Sequence, residues 1–115
     1  MHGFRVERAD HFYRRLIGWL GRTQIQDDEL LWISPCRCVH TLGMRVALSL
    51  FFVDRHGLII QVVPNAKPGR IFACVRAHAV IEASAFACVS AQCQQRLGAI
   101  QAVALMLSDC PNTLV

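Results

Sequence analysis

Val46-Ala47-Leu48-Ser49-Leu50-Phe51-Phe52-Val53, then Asp54-Arg55-His56-Gly57, then Leu58-Ile59-Ile60-Gln61-Val62-Val63, is the stretch on which the fold turns. The two outer runs are rich in β-branched and aromatic residues, which suit a pleated, buried surface. Between them, Asp54 to Gly57 has the chemistry of a four-residue hairpin loop, with Gly57 free to take a positive φ. The expectation is a β-hairpin with Val46–Val53 as the strongest strand of the chain.

Working outward, Leu30-Leu31-Trp32-Ile33 reads as a buried strand stopped by Ser34-Pro35. A second extended stretch runs from Cys36 to Thr41, and Gly43 offers a bend before the hairpin. Beyond the hairpin, Pro64 to Gly69 reads as a loop, and Ile71–Val75 and Ala79–Ala83 as two further strands. Phe12, Leu16, Trp19 and Leu20 recur at helical spacing after Asp10, an N-cap type, and predict a short helix ending near Gly21. Val89, Cys93, Leu97, Ile100, Ala104 and Leu107 do the same at the other end and predict a C-terminal helix stopped by Pro111.

Composition agrees with one folded unit. At 115 residues, residues 1–115 have room for one hydrophobic core, and 54% apolar against 17% charged residues is far from a disordered composition. The longest apolar runs fall well short of the roughly 18 to 20 residues that a membrane-spanning helix needs. Met1 to Arg8 mixes charges of both signs with no apolar run behind it, so it does not read as a signal peptide. The six cysteines, without an export signal or a dense turn-rich framework, read as reduced thiols, and the reading is a cytoplasmic protein.

Three blocks then stand in order: Arg15-Leu16-Ile17-Gly18-Trp19-Leu20-Gly21-Arg22, Leu30-Leu31, and Pro35-Cys36-Arg37-Cys38-Val39-His40-Thr41-Leu42-Gly43-Met44-Arg45. Phe52–Gly57, Lys67-Pro68-Gly69-Arg70 and Val80-Ile81-Glu82 follow. Together they resemble the uncharacterised bacterial and archaeal family called domain of unknown function 192, over roughly residues 10–86. The resemblance implies a compact, mainly β fold and no particular activity. Ser49 stands where that family usually has an acidic residue, Phe86 where it usually has a glycine, and the tail 87–115 has no clear counterpart.

Several residues bear chemistry. Cys36, Cys38 and His40 are soft ligand types at alternate positions, all on one face of an extended strand. As a zinc site they are strained by distance: Cys36 and His40 stand roughly 13 Å apart along a straight strand, whereas ligands of one zinc converge within about 4 Å. No cofactor is therefore predicted, and the cysteines read first as core residues. A Cys–His nucleophilic pair, making a small hydrolase or metal-dependent enzyme, is the rival reading. A third groups His40, Thr41, Arg45 and Glu82 at strand ends around a small polar or anionic ligand, against an internal network in which Glu82 pairs with an arginine and His40 with backbone.

The basic N-terminal segment, Arg5, Arg8, Arg14, Arg15 and Arg22 among Phe12, Tyr13 and Trp19, resembles a nucleic-acid surface only diffusely and reads better as the solvated side of a helix. The apolar stripe through Leu97, Ile100 and Leu107 is expected to pack on its own sheet, with a monomer or a homodimer both open. The sequence thus predicts an α+β, mainly β domain: an antiparallel, partly closed sheet or small sandwich with a short N-terminal and a C-terminal helix. Its favoured role is non-catalytic binding, with Cys36–Arg45 as the functional surface.

Overall fold

A computed structural model describes residues 3–9, 19, 21–86 and 91–108 of the chain. Seven strands and one helix are formed by them: β1 (Arg5–Ala9), β2 (Glu29–Ile33), β3 (Cys38–His40), β4 (Leu48–Val53), β5 (Ile59–Ala66), β6 (Ile71–Ala73), β7 (Ala79–Ser84) and α1 (Ala91–Ser108). The predicted hairpin is β4–β5. Asp54 closes it, donating its backbone N–H to Leu58 O (2.9 Å) while its Oδ1 accepts from the N–H groups of His56 (2.8 Å) and Leu58 (3.0 Å). Gly57 takes φ 87°, the left-handed conformation its loop position requires.

The main sheet has the order β1-β2-β7-β4-β5, with β3 and β6 forming a separate two-stranded ribbon. Every residue of β4 and of β7 is buried. Such strands must be covered on both faces, which is why they read as near-continuous apolar runs rather than alternating ones. Alternation still sorts them. Leu31, Ile33, Leu48, Leu50, Phe52 and Val80 join Val39, Met44 and Trp19 in one core cluster, beneath the ribbon. Leu30, Trp32, Phe51, Val53, Ile81 and Ala83 join Ile100, Val103 and Ala104 in the other, beneath α1. The C-terminal stripe therefore packs on its own sheet, with Leu97 and Leu107 at the margin of the contact.

Three expectations are corrected, and a fourth falls outside the described residues. The sheet is mixed, not antiparallel: β1 lies parallel to β2, Arg5 opposite Glu29 through Ala9 opposite Ile33. The long connection from Ala9 to Glu29 permits this, since parallel neighbours need a crossover of a dozen or more residues. The sheet is also open, with β1 and β5 as its edges, and its second layer is a ribbon and a helix rather than a second sheet of a sandwich. The strand after the hairpin runs on through Pro64 to Ala66 instead of ending in a loop; at an edge, the N–H that proline lacks is not needed. The predicted N-terminal helix falls at residues 10–18 and 20, outside the described residues apart from Trp19, and Pro111 lies outside them as well.

Side chains lock the layers together. Gln101 of α1 donates from Nε2 to Gly57 O (2.7 Å) and accepts at Oε1 from the Ile59 N–H (3.0 Å), joining the helix to the hairpin end of β5. Phe86 stacks on Phe51, with ring centroids 5.9 Å apart and planes 7° from parallel, and the Arg96 guanidinium lies over its ring at 5.6 Å. Arg96 also donates to Ser84 Oγ (3.0 Å) and to Asp27 O (3.2 Å), while Ser84 Oγ donates to Asp27 Oδ1 (2.8 Å). Where the family resemblance sets a glycine, this chain thus places an aromatic ring held between sheet and C-terminal helix. Ser49, at the other departure, is fully buried and donates to Ser84 O (2.8 Å), so its hydroxyl is spent inside the sheet. No helix among the described residues is long and apolar enough to cross a membrane.

Candidate functional site

The ribbon pairs Cys38 with Ala73, Val39 with Phe72 and His40 with Ile71. Side chains of a strand alternate between faces, so Val39 and Phe72 enter the core while Cys38, His40, Ile71 and Ala73 take the opposite side. On that side Cys38 and Ala73 are exposed and His40 is half-buried. Ile71 is 67% exposed, and Leu42 and Val75, in the turns that follow β3 and β6, are 49% and 81% exposed.

Thr41 anchors this layer. It is fully buried, and its hydroxyl donates to Lys67 O (2.7 Å) and accepts from the Arg70 N–H (2.9 Å). Its backbone N–H donates to Arg70 O (2.8 Å) and its carbonyl accepts from the N–H groups of Gly69 (2.9 Å) and Met44 (3.1 Å). One threonine therefore fixes the loop carrying Lys67 and Arg70 against the loop carrying Leu42 and Arg45. Gly69 turns that first loop with φ 80°.

The charges are segregated. Residues 34–47 and 67–78 hold five Lys and Arg residues, Arg37, Arg45, Lys67, Arg70 and Arg76, and none of the chain's eight acids. All five are exposed. Arg76 stands at the margin, within the field of Asp54 on the hairpin. Burial there pushes the Asp54 carboxyl up, but the N–H groups of Leu58 and His56, helped by the His56 and Arg76 charges, leave it below its ordinary value. Acids at the start of β2 are paired instead. Arg22 grips Glu29 through two hydrogen bonds (2.8 and 2.9 Å) and Arg5 grips Asp28 (2.9 and 3.1 Å). The Arg22 hydrogen bonds, with the Gln26 N–H, hold the Glu29 carboxyl at about 2.

Of the residues that the sequence singles out, His40, Thr41 and Arg45 lie in this layer, while Glu82 is in the main sheet, fully buried between Leu31 and Leu50. Glu82 is engaged in its own polar interaction, and His40 Nδ1 accepts the Leu42 N–H (3.2 Å). Cys36 does not share a face with Cys38: it precedes β3, packs against the core and donates its thiol to Cys38 O (3.3 Å), whereas Cys38 is exposed. Among the described residues no three His, Cys, Asp or Glu side chains converge as metal ligands would. Sequence reasoning missed Ile71, Val75 and Leu42 as exposed residues and Arg37, Lys67, Arg70 and Arg76 as their companions. The absence of acids from both segments was the legible signal.

An open groove of about 460 Å³ lies between β5 and α1 and is lined by Ile60, Val62, Gln94, Leu97 and Gly98 among others. Its lining holds no charged side chain. It offers an anion nothing.

The family model of domain of unknown function 192 (DUF192), described as "Uncharacterized ACR", matches residues 1–95. No curated protein matches the chain. Two solved structures share the fold. A protein of unknown function from Novosphingobium aromaticivorans DSM 12444 is 22% identical, with a TM-score of 0.66 over 83% of this chain and 69% of that one. A candidate transcription regulator from Sinorhizobium meliloti 1021 is also 22% identical, with a TM-score of 0.65 over 83% of this chain and 74% of that one.

Proposed function

This chain belongs to the DUF192 family, a family of unknown function, and from that premise we propose that it is a non-catalytic binding domain whose basic ribbon layer recognises an anionic ligand. The observation that carries this reading is the segregation of five exposed cations, without an acid in the same segments, onto a layer that Thr41 holds rigid. Like charges gathered on one layer raise the local concentration of anions and give an anionic partner its binding energy. Arg45 keeps the role the sequence suggests, fixing the ligand's charge, with Arg70 and Lys67 beside it and His40 at the rim. Thr41 acts as a positioning residue, and Glu82 lies beneath the layer, on the core-facing side.

The engagement of the rival's groups supports the same reading. A nucleophilic pair needs a thiolate and a base in contact. Here the Cys36 thiol donates to a backbone carbonyl and His40 Nδ1 accepts a backbone N–H. The reading places the protein in the cytoplasm as a carrier or adaptor of an acidic partner.

Titration calorimetry with short polyglutamate at low and raised salt tests it. The expected result is salt-sensitive binding that weakens about a hundredfold in an Arg37→Gln, Arg45→Gln, Arg70→Gln variant, at about 1 kcal/mol per charge. Arg5→Gln, on the edge strand β1, should leave it unchanged. Absent binding, or equal loss in both variants, overturns the reading.

A further inference from the structure

Resting on that reading, we propose that the anionic partner is a lipid surface: the ribbon docks on an anionic bilayer, with Leu42, Ile71 and Val75 entering the headgroup–acyl boundary and the flanking guanidinium groups held at the phosphates.

The exposed aliphatic side chains decide between anionic partners. Ile71 stands at the start of β6 and Val75 in the turn that follows that strand, while Leu42 lies in the turn after β3, the strand paired with β6. Two of the three have a cation next to them in the chain. Arg70 precedes Ile71 and Arg76 follows Val75, while Arg37, whose carbonyl accepts the Cys74 N–H (2.8 Å), comes from the opposite strand. A nucleic acid is bound by stacking on aromatic rings and by contacts to phosphates, and three protruding aliphatic groups without an aromatic ring serve neither. A second copy of the chain would set five cations against five. An anionic bilayer uses both parts at once, taking aliphatic groups into its boundary layer and cations at its surface.

The layer is built to resist the cost of insertion. Val39 and Phe72 pin its inner face to the core, and the Thr41 bonds hold its loops, so no ordering of a free segment is required on docking.

Co-sedimentation of the full chain with phosphatidylglycerol–phosphatidylcholine vesicles, beside phosphatidylcholine alone, tests the proposal. Binding is expected to the anionic vesicles only and to fall with salt. The Ile71→Ser, Val75→Ser variant should lose about tenfold or more in partitioning while keeping its affinity for polyglutamate. The two positions are exposed, so the melting temperature of that variant should stay close to that of the parent. Polyglutamate binding without vesicle binding, or vesicle binding that the serine variant retains in full, overturns the lipid proposal and leaves the anion reading standing. Failure of both probes overturns both.

Discussion

In the five-stranded sheet every residue of β4 and β7 is buried, whereas in the β3–β6 ribbon only Val39 is buried, Phe72 and His40 are half-buried, and Cys38, Ile71 and Ala73 are exposed. The two regions use the same residue types. Ile81 and Ile71 are both strand isoleucines, one with no exposed surface and the other two-thirds exposed. What differs is the number of layers. The sheet lies between ribbon and helix and contributes one core cluster on each face, while the ribbon is the outermost layer on its side among the described residues. Stability is thus concentrated in the sheet, and the apolar area left on the ribbon is surplus to it.

The sharpest way to break that comparison is to truncate one residue of each kind. Phe51→Ala removes a fully buried ring from the sheet, and with it the stack on Phe86; a loss of about 3–5 kcal/mol in chemical denaturation is expected. Ile71→Ser on the ribbon should stay within about 0.5 kcal/mol of the parent. Comparable losses at the two sites would mean that the ribbon's outer face is covered after all.

Gly57→Val probes the seam between hairpin and helix. A Cβ there would meet Ser108 Cβ and Oγ at 3.1 Å and Leu105 Cδ2 at 3.2 Å, in addition to the strain of φ 87°, so a loss of about 2–3 kcal/mol is expected. Gly69→Ala on the ribbon loop has φ 80° but nothing within 4 Å, so strain alone should cost about 1 kcal/mol. Equal melting temperatures for the two variants would remove the helix contact from the account.

Thr41→Val leaves the Arg70 N–H without its hydroxyl acceptor, and a loss of about 1–2 kcal/mol is expected, with Thr41→Ser restoring most of it. Amide exchange should rise first in residues 67–70, while β4 and β7 stay protected.

Glu29→Gln gives the smallest effect and a pH signature. Because the folded carboxyl is held at about 2, below its ordinary 4.5, the Arg22 pair contributes fully above about pH 4.5 and is lost as the pH falls towards 2. The variant should be about 1 kcal/mol less stable at pH 7 and equal to the parent near pH 2. A difference that persists in acid would assign the loss to packing instead.

Local chemistry made much of this legible. The Asp54–Gly57 loop carries its own turn signals, and the α1 stripe declares its buried side by spacing. β1 escaped because Arg5-Val6-Glu7-Arg8-Ala9 has no apolar alternation to speak of; an edge strand covered on one side needs little, and its parallel pairing depends on residues some twenty positions away. Pro64 looked like a strand end because nothing local tells an edge strand from a central one. Ile71–Val75 read simply as a strand, and its exposure was not legible for the same reason: β propensity reports fitness for a strand, and whether a second layer covers it is decided elsewhere in the chain. For the candidate site, His40 and Arg45 were visible as residue types, but the ribbon register that sets them beside Ile71 and Arg70 was not.

Gln101 has a consequence for the chain in a crowded solution. Its amide meets one donor and one acceptor at the hairpin end of β5, as a single residue of an additional strand would. An incoming strand from a neighbouring molecule therefore finds that end of the seam already answered, and would have to evict a side chain before it could begin to zip. The protein keeps its sheet from growing at the terminus where a hairpin would most readily recruit its own kind.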